Sequence, residues 1–372
     1  MGLGDRFAHQ GQAQLAAIQK AKQELGIEII PVWNKSNREH TIIGSVPADT
    51  RREADEAVKT LGWKGQYFVD ADHINLSNVE KFTEACDFFT IDVADYIGKK
   101  ADDADIARTV EINKSLTGYI SIPGIDEAFM VTETTIRKAA EKFLFAVQKA
   151  SEIYTIIKNK KGEGTFITEV SMDEVDIPQS PLELLVILKM LADRKIPVQT
   201  IAPRFSGRFN KGVNYVGDVR QFGKEFEEDL LILDFAVRNF GLPSNLKLSV
   251  HSGSDKFDIY PIIGNLIKKY NKGIHLKTAG TTWLEEVIGL SMAGGEALEL
   301  VKNMYCKMLE KIDDLCAPYA SVINIRKDNL PTAAQVKEWG AEKLSNSFRH
   351  IPGHPDYRPD MRQLVHVGFK IA

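Results

Sequence analysis

The sequence predicts an α/β fold: a (β/α)8 TIM-type barrel carrying a helical insertion and a C-terminal extension. Two observations predict it. Short β-branched runs alternate with amphipathic helices through most of the 372 residues, and crossovers of helical length imply parallel strands covered on both faces. The competing open, doubly wound sheet lacks its usual marks, since no GxGxxG follows the first strand and no GxxxxGK[ST] occurs anywhere.

Taken in order, 41-TIIGSV-46 reads as the first strand, followed by a helix over 50-TRREADEAVKTL-61 that Gly62 closes. The runs 67-YFVDA-71 and 87-DFFTIDV-93 read as the second and third strands. Residues 101–160 then break the rhythm with helical material, including the long amphipathic stretch that begins at 133-ETTIRKAAEKF-143. The middle of the chain is clearest. A strand, 165-TFITEVS-171, precedes a helix opened by Ser180 and Pro181, a cap followed by proline at the first helical position. The strand 198-VQTIAP-203, the helix 225-EFEEDLLILDFAVRNF-240 ended by Gly241, and the strand 246-LKLSVH-251 come next. A helix near 259–270 leads to the strand 274-IHLKTA-279, two helices near 282–313 follow, and 365-VHVGF-369 supplies the last strand. The total is about eight, as the barrel requires. The chain reads as a single barrel domain over 1–372, with the insertion at about 101–160 and a C-terminal cap at about 317–372.

Bulk composition narrows the function classes. Hydrophobic residues at 44% and charged residues at 26% describe an ordinary soluble globular protein. A net charge of −4 offers no basic footprint for nucleic acid or an anionic membrane. The start, MGLGDRFAHQGQ, has no apolar signal-peptide core, Arg6 stands where a myristoylation motif wants Ser or Thr, and no apolar run approaches a membrane span. Three cysteines in no metal or redox spacing fit a reduced, cytoplasmic compartment. Whether the chain forms a homo-oligomer is left open.

In such barrels catalytic residues come from the C-terminal ends of the strands, and polar residues collect there. The ends supply Asp70, Asp72 and His73; Asp92 and Asp95; Glu169, Ser171, Asp173 and Glu174; Arg204; His251 through Lys256; His275, Lys277 and Thr278; and His366. A lone strand histidine is more often a packing residue than a ligand, but several converging with carboxylates on one mouth reverse that expectation. Imidazole with carboxylate oxygen suits a divalent ion such as zinc, manganese, cobalt or nickel, with a position open to substrate. The metal ligands expected are His73, Glu169, His251 and His275. The alternatives for Glu169 are a general base or a structural ion-pair partner, and His275, early in its strand, sits a layer deeper in the alternative reading. Asp72, Glu169 and Lys277 are the catalytic candidates; Lys277 shares the parity of His275 and points inward, as an oxyanion partner or a buried ion pair. Arg204 and Lys256 suit an acidic substrate, or are solvated loop charges, and Ser252 and Asp255 join them as substrate-binding candidates. HSGSD is not a GxSxG nucleophile elbow, so a serine hydrolase fits poorly.

Three separated segments, 69-VDADHINL-76, 251-HSGSDKF-257 with Ile259–Pro261, and 274-IHLKTAGTTWLEE-286, resemble the bacterial tagaturonate epimerase family. The resemblance spans essentially the whole chain. It implies a metal-dependent interconversion of D-tagaturonate and D-fructuronate, a small-molecule ketouronate as partner, and a place in hexuronate catabolism. The Asp72-His73 pair and 250-VHSGS-254 are also similar to metal-bearing motifs of class II aldolases, by mechanistic analogy only. That analogy suits a C3 inversion, because C3 lies β to the ketone and its C–H is not acidified, whereas a retro-aldol cleavage bypasses that proton. The alternatives are a class II-type aldolase or sugar isomerase on the same barrel, or a sugar-acid binding protein without turnover.

Overall fold

The computed structural model describes every residue of 1–372 except Ala279. Eight parallel strands close a barrel: β1 (Gly2–Gly4), β2 (Val32–Ser36), β3 (Phe68–Ile74), β4 (Phe88–Asp92), β7 (Ile167–Ser171), β8 (Thr200–Ala202), β9 (Lys247–His251) and β10 (His275–Lys277), with β1 pairing both β2 and β10. The short antiparallel hairpin of β5 (Gly118–Ile120) and β6 (Phe129–Val131) stands apart from it, between β4 and β7 in sequence. Helices α1 (Gly11–Leu25), α2 (Asn37–Ile43), α3 (Pro47–Thr60), α4 (Asp103–Ile112), α5 (Glu133–Lys161), α6 (Pro181–Asp193), α7 (Val219–Phe240) and α8 (Tyr260–Lys269) make the crossovers. After β10 come α9 (Thr281–Ala293), α10 (Gly295–Glu310), α11 (Ile312–Cys316), α12 (Ala333–Lys337), α13 (Ala341–Phe348) and α14 (Pro359–Val367). Among the described residues no helix is long and apolar enough to cross a membrane.

The strand count agrees with the sequence, but two of the eight are not where expected. The segment 41–46 is the end of α2 and its left-handed cap at Gly44; the strand before it is Val32–Ser36. A capping box, Ser36 with Glu39, starts that helix and was the local signal for it. The run 365–369 is likewise helical, the end of α14 opened by Pro359. Its place in the barrel belongs to Gly2–Gly4, where glycine is required by close approach: a Cβ on Gly2 would meet the Lys277 Cα at 2.9 Å. His366 therefore lies on a helix, with its Nε2 3.5 Å from Arg6 Nη2, and is not at a strand end.

Burial falls into two large apolar clusters. One lies between the barrel wall and the crossover helices, with Val69, Phe89, Val170, Ile201 and Leu248 facing outward from the strands. The other joins α9 and α10 to the C-terminal helices around Trp283, Tyr305, Phe348 and Phe369. Trp283 Nε1 donates to the Val365 carbonyl at 2.9 Å and ties α9 to α14.

Candidate metal centre and active-site cavity

Strand alternation sends Asp70, Asp72, Thr90, Glu169, Ser171, Ser249, His251, His275 and Lys277 to the barrel interior while their neighbours face the helices. Register then decides who meets whom. Glu169 pairs with Thr90 on one side and Thr200 on the other. Their hydroxyls donate to its Oε1 at 3.1 Å and Oε2 at 2.7 Å. The same two oxygens accept from His251 Nε2 and His275 Nδ1, each at 2.8 Å. Glu169 is 0% exposed. Burial would raise its pKa, yet His275 and His251 hold it well below the usual carboxylate range. Beside it Lys277 Nζ lies 2.6 Å from Asp70 Oδ2 and 2.6 Å from Asp72 Oδ1, and donates to Thr90 Oγ1 at 2.7 Å. Burial opposes the ammonium charge, but Asp70, Asp72 and Glu169 overcome it and raise its pKa above the ordinary value.

At the mouth, two imidazoles are held by the nitrogen that faces away from a shared carboxylate. His73 Nδ1 is 2.6 Å from Asp72 Oδ1, leaving Nε2 buried, without a hydrogen-bond partner, and 3.6 Å from Asp173 Oδ1. His251 Nε2 is taken by Glu169, leaving Nδ1 likewise buried and without a hydrogen bond, 3.1 Å from the same Asp173 oxygen. One ligand atom from each of His73, Asp173 and His251 lies within 4.8 Å of the others. Carboxylate–histidine pairs aimed at one point are the usual surroundings of a bound divalent ion, so the residues present fit one. The electrostatics agree. Burial lowers the His251 pKa, but Asp173 and Glu169 outweigh it and push it up to about 9, and Asp72 and Asp173 raise His73 well above its ordinary value. Three carboxylates around two imidazoles call for positive charge, which protons or a cation can supply.

The expected ligand set is thereby rearranged. His73 and His251 meet, and Asp173, a strand-end residue outside the expected ligand set, completes the group. Both Glu169 oxygens are taken by His251, His275 and the two threonines, so Glu169 stands behind His251. His275 lies deeper, against Phe88 with ring centroids 4.8 Å apart, and burial lowers its pKa to about 4. Asp173 shared the parity of Glu169 and Ser171, and that spacing was the signal that could have found it.

A cavity of about 390 Å³ opens over the triad, lined also by Arg6, Asn34, Arg38, Asp72, Asp92, Arg204, Lys211 and Lys277. Of the substrate-binding candidates only Arg204 lines it. Ser252 Oγ donates to the Lys277 carbonyl at 2.9 Å. Lys256 is fully buried, and its ammonium donates to the Asn210 carbonyl at 3.1 Å and to Ser254 Oγ at 2.8 Å. Asp255 faces Arg362 at 3.6 Å and His350 at 3.8 Å. The loop read as a substrate binder instead clamps residues 210–212, through Lys256 on the Asn210 carbonyl and Ser254 Oγ on the Gly212 N–H.

A family model described as tagaturonate epimerase, UxaE, matches residues 1–371. The chain belongs to this family. Its relatives include the tagaturonate/fructuronate epimerase of Thermotoga maritima, 29% identical over 381 residues that span 99% of this chain and 72% of that protein. The glycerol-bound crystal structure of the fructuronate-tagaturonate epimerase UxaE from Cohnella laeviribosi is 25% identical, with a TM-score of 0.80 over 99% of this chain and 71% of that one. The native crystal structure of the same enzyme, at 24% identity and a TM-score of 0.79 over the same shares, shows the shared fold. The family is one of carbohydrate epimerases, within the isomerases.

Proposed function

We propose that the chain interconverts D-tagaturonate and D-fructuronate by inverting C3 through retro-aldol cleavage and re-addition, at a divalent-metal centre held by His73, Asp173 and His251. The observation that carries the metal reading is the pair of buried, unpartnered imidazole nitrogens converging on one Asp173 oxygen. A divalent ion bound by these residues would supply Lewis-acid stabilisation to negative charge developing on a substrate oxygen.

The chain's own groups supply the rest. Cleavage requires a base to take the C3 hydroxyl proton; the C3–C4 electron pair then passes to an enediolate over C4 and C5, leaving an aldehyde at C3. Rotation of the aldehyde presents its other face, the C3–C4 bond re-forms, and the proton returns to the C3 oxygen. Asp92 suits that transfer: it lines the cavity, and burial pushes its carboxyl up to about 6, so it is ionised at neutral pH and still basic. Asp72 lines the cavity too, but its Oδ1 holds His73 and Lys277, and those cations, working against burial, keep its pKa well below the usual range. Glu169 has both oxygens occupied and does not line the cavity. Lys277 is 4% exposed and brings fixed positive charge to the cavity floor.

Turnover of D-tagaturonate to D-fructuronate tests this, with elemental analysis before and after chelation. The activity should vanish with the metal and return with an added divalent ion, and product formed in D2O should carry no deuterium at C3 or C4. Stoichiometric deuterium at either carbon would sink the retro-aldol route, and full activity in a metal-free protein would sink the centre.

A further inference from the structure

We propose that Lys211 and Arg38 form the seat of the sugar-acid carboxylate, with Lys211 as the residue that selects an acidic over a neutral sugar. This rests on the epimerase reading above and names the part of the cavity that recognises the substrate's far end. Two of the cavity's three other side-chain cations are already answered; the third, Arg204, has no ion-pair partner among the described residues and its guanidinium reaches only the Gly207 carbonyl, at 3.4 Å. Arg6 pairs with Glu39, and Lys277 with Asp70 and Asp72. Lys211 and Arg38 both line the cavity, and among the described residues neither has an ion-pair or side-chain hydrogen-bond partner. They gather on one aromatic ring, with Arg38 Cζ 4.8 Å and Lys211 Nζ 5.9 Å from the centroid of Tyr319.

Arg38 is exposed and Lys211 half-buried, and two like charges gathered on one ring repel each other unless an anion completes the set. Burial first, and then Arg6 and Arg38, lower the Lys211 pKa to about 8; Asp72 and Glu174 oppose this, neither at ion-pair distance. The surroundings hold Lys211 in place. Its backbone N–H donates to the Val322 carbonyl at 2.8 Å, Gly212 N donates to Ser254 Oγ at 3.0 Å, and Lys256 grips the Asn210 carbonyl. Arg362 Nε donates to the Gly212 carbonyl at 2.7 Å from the opposite side. The HSGSDKF loop and α14 thus position Lys211 through the backbone of its neighbours. Lysine as a point charge suits a carboxylate that must settle after the sugar chain turns.

The test compares D-tagaturonate with neutral D-tagatose, by turnover and by calorimetric binding to metal-loaded protein. Lys211→Met should weaken uronate binding and raise its KM on the order of 100-fold, with a far smaller effect on tagatose; Arg38→Met, at an exposed residue, should do the same more weakly, and Lys211→Arg should restore most of the preference. Equal losses on both sugars, or a preference erased by Arg204→Met and kept by Lys211→Met, would overturn the assignment, as would wild-type protein that binds the two sugars equally. Wild-type protein that binds the uronate through Lys211 without epimerising it would remove the functional reading and leave the seat standing.

Discussion

Glu169 and Asp72 stand outside the triad, yet each decides how an imidazole there is presented. By occupying His251 Nε2 and His73 Nδ1 they fix the tautomers and leave the opposite nitrogens aimed at Asp173. The anionic charge of Glu169 is therefore worth more than its shape. Glu169→Gln keeps the volume and a carbonyl acceptor but loses the charge that raises the His251 pKa. Divalent-metal affinity, read by calorimetric titration, should fall roughly 10- to 100-fold, with the fold intact by circular dichroism. An unchanged affinity would mean that packing alone orients the ring. At this scale sequence parity was a good guide to which side chains face inward and a poor guide to depth, because depth depends on inter-strand register, which one strand's pattern does not contain.

Among the elements, β3 shows most clearly how geometry departs from pattern. Alternation alone would send Asp72 inward and His73 outward. The register against β4 shifts between Ala71 and Ile74, and His73 takes a φ of 52°, so both residues line the cavity. A bulge of this kind re-aims a side chain at the rim of a barrel. Strand β2 was missed for a related reason: its inward positions, Asn34 and Ser36, line the site and are polar, which erases the apolar signature that neighbouring TIIGSV carries. Helix α7 holds a separate liability. Asp229 is buried in it, and burial, with Glu225 and Glu228 nearby, raises its pKa well above the ordinary value. The folded state thus binds this proton more tightly than the unfolded one. Stability is undiminished below the ordinary carboxylate pKa and is lost as pH rises from there through the raised value. Asp229→Asn should raise the thermal midpoint at pH 7 to 8, by about 1–2 kcal/mol of stability, and leave it unchanged near pH 3. A destabilised variant at neutral pH would show that the carboxylate has a partner it needs.

At the level of the whole molecule, the residues after β10 build a second apolar cluster and also complete the cavity, since Ser321 and Val322 line it and the Val322 carbonyl holds the Lys211 backbone. Stability of that cluster and recognition of substrate are therefore linked through one segment. Trp283 is its bridge, 3% exposed, with Phe7 packed edge-on at 5.4 Å between ring centroids and the Val365 carbonyl on its indole N–H. Trp283→Ala should lower unfolding stability by about 3–5 kcal/mol in urea denaturation. KM for the uronate should rise before the far-ultraviolet signal is lost, because the short 3-10 helix Ala317–Val322 loosens first. Simultaneous loss of both signals would argue that the two clusters unfold as one.

By itself the sequence determined the class of fold, the alternation that builds a closed parallel barrel, the family, and the end of the barrel at which polar chemistry collects. The fold class and the polar end follow from local propensity and periodicity, which a linear pattern carries, and the family from the likeness of whole segments. The tertiary structure alone decided that Asp173 rather than Glu169 or His275 joins His73 and His251, that Lys256 is a clamp and Lys211 a cavity cation, and that β1 and not 365–369 closes the barrel. Each of those depends on which buried polar atom finds a partner across strands far apart in the chain, and only packing settles that competition.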